Sequence, residues 1–353
     1  MDSALKPVTI NLALQGGGAH GAFTWGVLDR LLDESWISIE GITATSAGAV
    51  NAAAFKAGFV AGGAQGARES LDAFWEELGG LSSLTPGPVK DWLETITPSL
   101  PIIANMSQYN PALKAAEIFT RTFSPYESNP LNFHPLRSMV DGFFDFDKVC
   151  ATDGPKLFIS ATNVRSGKVK IFEGEEISTD AILASSCLPT LYQAVEIEDP
   201  KTGVLEAYWD GGYMGNPALF PLFYGTETSD ILLVHINPMH REEVPKSAME
   251  IENRINEISF NSSLLRELRS IDFVQRLIRE GKVKKGDMKD IHIHSVADDE
   301  TMVKLGAATK STPNAGLLSR LKEAGQLAME QFLGDNADQI GKKGTCDLKA
   351  MFG

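Results

Sequence analysis

The sequence predicts an α/β fold built on a mainly parallel central sheet, and three observations point to it. An apolar strand-like run, Val8 to Leu14, breaks into the glycines of "QGGGAHG" and resumes as a helix-patterned stretch from Ala22 to Glu34. A second run, Ile39 to Thr45, stops at Ser46 and gives way at once to an alanine-rich helical segment. Further short apolar runs return only after residue 146, so the sheet is assembled from distant pieces of chain.

In the first helix Phe23, Val27, Leu28, Leu31 and Leu32 recur at helical spacing, and the second helix continues through Val50, Ala53 and Ala54 to a stop expected at Gly58. Strand, glycine loop, helix, strand, tight turn, helix is the start of a parallel sheet whose loops emerge together at the carboxyl edge, where ligands bind. From about residue 62 to 146 the composition shifts. Helical segments at Arg68 to Leu78 and Pro111 to Phe123 alternate with the proline-rich turns "LTPGPVKDW" and "ITPSLPI", which reads as a helical insertion covering the site. Strands are expected at Leu157 to Thr162, Val169 to Phe172, Gln193 to Ile197, Leu205 to Trp209 and Ile231 to Ile236. A long helix from Lys246 to Glu280, a strand at Ile291 to Ser295 and a helix at Ala315 to Phe332 make residues 246–353 a helical extension with one added strand. The whole of 1–353 reads as a single domain.

The 353 residues carry 46 acidic and 32 basic side chains, a net charge of -14, which repels nucleic acid and disfavours long-range attraction to anionic membranes. No nucleic-acid partner is expected. Lipid contact would be apolar or use the basic cluster Lys282, Lys284, Lys285 and Lys289, a pattern that also suits a solvated helix end. Peripheral membrane contact and assembly into homo-oligomers are both compatible with the sequence. The cysteines Cys150, Cys187 and Cys346 have neither disulfide-framework numbers nor thiolate-zinc spacing, so no metal is expected. "MDSALKPVTINLAL" does not read as a signal peptide, and Asn51 and Lys56 interrupt the only long small-and-apolar stretch, residues 42–64. The cytoplasm is the expected compartment, although an effector delivered without a signal would look the same.

The glycine loop has two readings. Gly16, Gly18 and Gly21 satisfy the dinucleotide fingerprint GxGxxG, while the same bare backbone can offer N–H groups to a developing oxyanion. A dinucleotide site wants an acidic residue at the end of the second strand, but Glu40 opens that strand and Ser46 closes it. Ser46 lies among Ala44, Thr45, Ala47 and Gly48, small neighbours of the kind that a sharp strand-to-helix elbow requires. Such an elbow lifts the hydroxyl above the sheet edge, beside a helix N-terminus; an ordinary N-cap serine would show the same local pattern. A nucleophile on one loop and backbone donors on the next is the geometry of acyl transfer.

Taken together, "GGGAHG", "TSAGA", "ILASSCLPTLYQAVEI" and "WDGGYMGNPAL", in that order between Gly16 and Pro217, resemble the patatin-like phospholipase family. The resemblance implies a three-layer α/β/α patatin-like fold and a serine acyl hydrolase of phospholipase A or lysophospholipase type, with lipid esters as substrates and no cofactor. It makes Ser46 the nucleophile and Asp210 the base acting directly, without histidine. The oxyanion donors are then the N–H groups of Gly16, Gly17, Gly18 and Ala19 with that of Ala47. Gly211 and Gly212 permit the tight turn that brings in the carboxylate. Two positions depart from the family pattern: Ala44 stands at the first glycine of GxSxG, and His20 where a basic residue, often arginine, is common. His20 is expected to supply partial positive charge or a hydrogen bond, or to pack beneath the loop.

Other readings remain at this point. Asp210 could close a turn through an Asx-type bond. A Ser-His-Asp esterase could draw on His235, His240, His292 or His294, although only two strands precede Ser46. A patatin-fold binding or scaffold protein with weakened catalysis and a nucleotide-binding protein complete the alternatives. The aromatics Phe55, Phe59, Trp75, Trp92 and Phe119 suit a lid or a core. Ile251, Ile255, Ile258, Leu265, Leu268 and Phe273 mark the apolar side of the long helix, with core packing as its expected use.

Overall fold

A computed structural model describes residues 6–81, 123–284, 286–305, 307–310 and 313–353. Among the described residues eight strands form one sheet: β1 (Val8–Leu14), β2 (Ile37–Ala44), β3 (Lys156–Asn163), β4 (Val169–Glu173), β5 (Val195–Glu198), β6 (Leu205–Asp210), β7 (Asp230–Val234) and β8 (His292–Val296). They connect in the order β5–β6–β3–β2–β1–β7–β8, with β4 also paired to β3. From β3 through β2, β1 and β7 to β8 every pairing is parallel, while β4 and β6 run antiparallel to β3 and β5 antiparallel to β6. The predicted α/β class with a mainly parallel sheet is therefore the observed one.

The main helices are α1 (Ala22–Leu31), α2 (Ala47–Leu81), α3 (Thr179–Ser185), α4 (Ala248–Arg279), α5 (Ala307–Lys310) and α6 (Ala315–Asn336). Alternation along β1 and β7 divides the core in two. Leu12, Leu14, Leu232 and Val234 face a cluster with α1, α2 and α6, whereas Ala13, Ile231 and Leu233 face one with Leu264, Leu268 and Ile271 of α4. Strands covered on both faces read as unbroken apolar runs, and every residue of β7 is buried.

The register around β3 places the two strand ends that matter. Ile159 pairs with Phe172 of β4 on one side and Ala44 of β2 on the other, and Ala161 pairs with Lys170 of β4 and Asp210 of β6. β2 and β6 therefore share the same flank of β3 and approach each other end to end. Ser46 follows the tip of one and Asp210 is the tip of the other.

Three expectations are corrected. The helix begun at Ala47 does not stop at Gly58; it breaks at Gly62 and Gly63, the latter at φ 61°, and its second part packs back on the first. Gly58 is needed for that crossing, because a Cβ there would lie 2.2 Å from the carbonyl oxygen of Gly66. Second, both described ends of the expected cover over 62–146 belong to the core: Ala67, Leu71, Phe74 and Trp75 on one side, and Met139, Val140 and Phe144 on the other, are buried. Phe55 and Trp75 are thus core residues, and Phe59 packs against the same cluster. Trp92, Phe119 and all but the last residue of the helix expected at Pro111 to Phe123 lie outside the described residues. Third, α4 buries Glu257, Asn261, Leu264, Leu268 and Ile271, while Ile251, Ile255, Ile258 and Phe273 are exposed. Its buried face opens with two polar residues, and these break the apolar periodicity that the sequence displays on another side.

Of the basic cluster, Lys289 turns inward to the carbonyls of Leu222 and Thr226 and Lys282 pairs with Glu280, while Lys285 lies outside the described residues. Among the described residues no helix is long and apolar enough to cross a membrane.

The C-terminal third is built into the fold, since β8 extends the sheet and α6 lies across α1. That crossing has no room for side chains: a Cβ on Gly26 would fall 1.9 Å from the Lys322 carbonyl oxygen, and one on Gly325 2.1 Å from that of Phe23. Beside it, Asp72 accepts from Trp25 Nε1 at 2.8 Å and Lys322 Nζ at 2.7 Å. Gly26→Ala gains up to about 1 kcal/mol of helix propensity but must push two backbones apart, a cost of about 1 to 3 kcal/mol or more. The substitution is expected to lower the thermal unfolding midpoint; a raised midpoint would contradict the close crossing.

Candidate active site

Ser46 sits at the turn between β2 and α2 with φ 54°, in the left-handed region that serine seldom adopts. Such backbone costs roughly 1 to 3 kcal/mol and persists only where its surroundings enforce it. Here the enforcement is visible: Ser46 N donates to Ser185 Oγ of α3 at 2.9 Å, Thr45 N to Leu14 O at 3.3 Å, and Thr45 Oγ1 to Gly215 O at 2.6 Å. Gly48 lies so near β1 that a Cβ would be 2.3 Å from the Leu14 carbonyl oxygen, which accounts for the small residue after Ala47. Ala44 closes β2 and is not among the described residues with positive φ, so alanine fits that position without strain.

Asp210, at the tip of β6, is buried; its carboxylate accepts a hydrogen bond from Gly212 N at 2.7 Å and feels the Ser46 side chain beside it. Its backbone is held on both sides, since Asp210 N donates to Cys187 O at 2.7 Å and Thr162 Oγ1 donates to Asp210 O at 2.8 Å. Gly211 must be small, because a Cβ would lie 2.2 Å from Ser160 O. Burial outweighs the Gly212 hydrogen bond and the nearby Ser46 side chain, both of which pull the other way, and lifts the Asp210 pKa from the ordinary 3.8 to about 7. The Asx-type bond to Gly212 is therefore present, but together with the contact to Ser46 rather than instead of it.

The glycine loop runs beside the serine, and a Cβ on Gly16 would approach Ser46 Cβ to 2.6 Å. Among the described residues the N–H groups of Gly17, Gly18, Ala19 and Ala47 have no hydrogen-bond partner. Gly16 differs from the expectation: its N–H is given to Asn216 Oδ1 at 2.7 Å, so it anchors the loop and is not free to receive an oxyanion. His20 differs too. It is buried, with Nε2 at 2.8 Å from Thr309 Oγ1, and desolvation first and the Lys310 charge second push its pKa down to about 3. A neutral His20 supplies no positive charge; it ties the loop to α5.

The histidines of the rival triad are engaged elsewhere. His294 Nε2 lies 2.9 Å from Asp230 Oδ1, and His292 shares the same carboxylate where β7 and β8 begin, at the opposite edge of the sheet. His240 is exposed beside Glu242, and His235 is buried near Asn261 and Asp299.

Several residues that shape the site were not singled out in the sequence. Gln15 and Asn216 clamp the loop: Gln15 Nε2 donates to Asn216 O at 3.1 Å, and Gln15 Oε1 accepts from Ile236 N at 2.9 Å and Asn237 N at 3.0 Å. Gln15 carried a signal, as a polar residue standing between the apolar end of β1 and the glycines. Ser185 lies within the quoted segment "ILASSCLPTLYQAVEI" without standing out from its neighbours, and Asn237 carried no signal beyond composition.

Residues 12–223 match the patatin-like phospholipase family. No match is found among curated proteins. Among solved structures, the crystal structure of VipD from Legionella pneumophila resembles the chain at 15% identity, over 94% of this chain and 68% of that one, with a TM-score of 0.41, too loose a likeness to bear on the site.

With a folded pKa of about 7 against 3.8, Asp210 binds a proton in the folded state between those values when the unfolded chain does not. Its contribution to stability is full below about pH 4 and is lost as pH rises through 7. Asp210→Asn removes that loss, so its melting temperature relative to wild type is expected to rise from pH 5 to pH 8. An offset that is flat or falls over this range would show that the carboxyl is not desolvated.

Proposed function

Because the chain belongs to the patatin-like phospholipase family, we propose that it is a lipid acyl hydrolase working through a Ser46–Asp210 dyad. The observation that carries this reading is the contact of the Ser46 hydroxyl with a buried carboxylate beside four N–H groups that lack partners among the described residues. Ser46 Oγ attacks the acyl carbonyl of a phospholipid or lysophospholipid ester as its proton passes to Asp210. The carbonyl oxygen takes up the negative charge and is met by N–H groups of Gly17, Gly18 and Ala19 and by Ala47 at the start of α2. Collapse expels the alcohol oxygen, which leaves with the proton from Asp210, and an acyl-serine remains. Water then attacks the acyl carbon and gives a proton to Asp210; the fatty acid departs, and the proton returns to Ser46. Each donor of this kind is typically worth about 3 to 4 kcal/mol, so the loop matters on the scale of the base itself.

Ser46→Ala is expected to abolish ester hydrolysis and labelling by a fluorophosphonate probe while the circular dichroism spectrum is retained. Substantial turnover by the purified variant would reject the assignment, and a wild-type protein that is neither labelled nor active would point to a binding protein on the same fold. Since the base must be ionised to accept a proton, kcat/KM should climb with pH on a limb centred near 7, the value to which burial raises Asp210. A profile already flat from pH 5 upward would remove Asp210 from that role.

A further inference from the structure

We propose that Lys310 is a positioning residue for the oxyanion loop, its charge acting through Asn237 on the peptide that presents the Gly17 N–H. This rests on the reading of the site given above. Lys310 Nζ donates to Asn237 Oδ1 at 2.8 Å, and Asn237 Nδ2 donates to Gly16 O at 2.8 Å. The Gly16 carbonyl and the Gly17 N–H are the two ends of one peptide group. A donor placed on the carbonyl withdraws electron density through the amide and makes the N–H at the other end a stronger donor, more so when a cation polarises that donor in turn. The relay is buried, because Asn237 is 0% exposed, and it is held in place by Gln15 Oε1, which accepts from Asn237 N at 3.0 Å and from Asn237 Nδ2 at 3.2 Å.

Lys310 is also in contact with the loop through its backbone. A Cβ on Gly18 would come within 2.3 Å of the Lys310 carbonyl oxygen, so α5 is seated directly on the loop. As a residue Lys310 is partly exposed, but its ammonium end is desolvated enough to lower its pKa. Of the charged groups acting on it, Glu257 favours the cation and Arg241 opposes it. Glu257 is itself held by Arg241 at 2.6 Å and Arg254 at 3.2 Å, so three cations face one carboxylate behind the loop, in a protein whose net charge is -14. With His20 neutral, that positive field comes from residues outside the segment 12–223. A cation whose stem reaches inward to an amide of the loop's own clamp is more than a solvated surface charge.

The test is steady-state hydrolysis of a soluble p-nitrophenyl acyl ester by wild type, Lys310→Met, Lys310→Gln and Lys310→Arg. Both uncharged variants are expected to lose about tenfold or more in kcat with KM unchanged, and Lys310→Arg to stay within about threefold of wild type. The rate of fluorophosphonate labelling should fall in parallel with kcat. Folding is monitored by the melting temperature, and if one uncharged variant does not fold the other decides. A folded uncharged variant with kcat within about twofold of wild type, a loss confined to KM, or an arginine variant as impaired as methionine would overturn the proposal. Turnover surviving in Ser46→Ala is a different result, which removes the site itself and leaves no role for Lys310 to support.

Discussion

The site depends on two strands that share one flank of β3. Each stops where the other arrives, so a turn leaving the first and the tip of the second are forced together by sheet hydrogen bonds rather than by any attraction between serine and aspartate. Backbone pairing is the cheapest means of fixing such a meeting, since it is already required to bury the strands. The carboxylate is then desolvated because the sheet edge and the helices around it leave it nowhere else to go. Its raised pKa follows from topology.

Around that meeting point the chain adds constraints in layers. Ser46 is held in a backbone conformation it would not choose, by donors and acceptors contributed from α3, β1 and the loop after β6. The glycine loop is held by carboxamides at Gln15, Asn216 and Asn237, each fully buried and each with its polar atoms engaged. Amides are well suited to this work: they donate and accept without charge, so they fix a loop without adding an ion beside the buried carboxylate. The ammonium end of Lys310 brings charge to the edge of this set, one step removed from the loop itself.

Much of the central architecture was legible because it is local. Val8–Leu14 was read with its observed limits, and the turn at Ser46 stood out because only small residues can surround it. Asp210 was legible through its own glycines, Gly211 and Gly212. What could not be read is long-range. Gly16 looked like its neighbours until Asn216, distant in sequence, claimed its N–H. His20 looked like a charge donor because nothing local announces that α5 will bury it. In α4 the apolar pattern misled outright, for Glu257 and Asn261 are polar by sequence and interior by structure, paired with Arg241 and Gln15 that arrive from other elements. Gly58 has the local look of a helix end, but its smallness serves a crossing with Gly66, eight residues on.

The paired glycines where α6 crosses α1 bear on how this chain comes off the ribosome. β1 and α1 precede their partners by much of the described chain: β1 finds its second neighbour only in β7, and α1 is covered only when α6 has followed. Contacts between such distant segments make folding slow and late. Until then the central strand has an open edge and the helix a bare seam, and Asn237 and Lys310 have yet to reach the loop. The oxyanion loop and its clamp are thus completed only when segments from far along the chain have packed against β1 and α1.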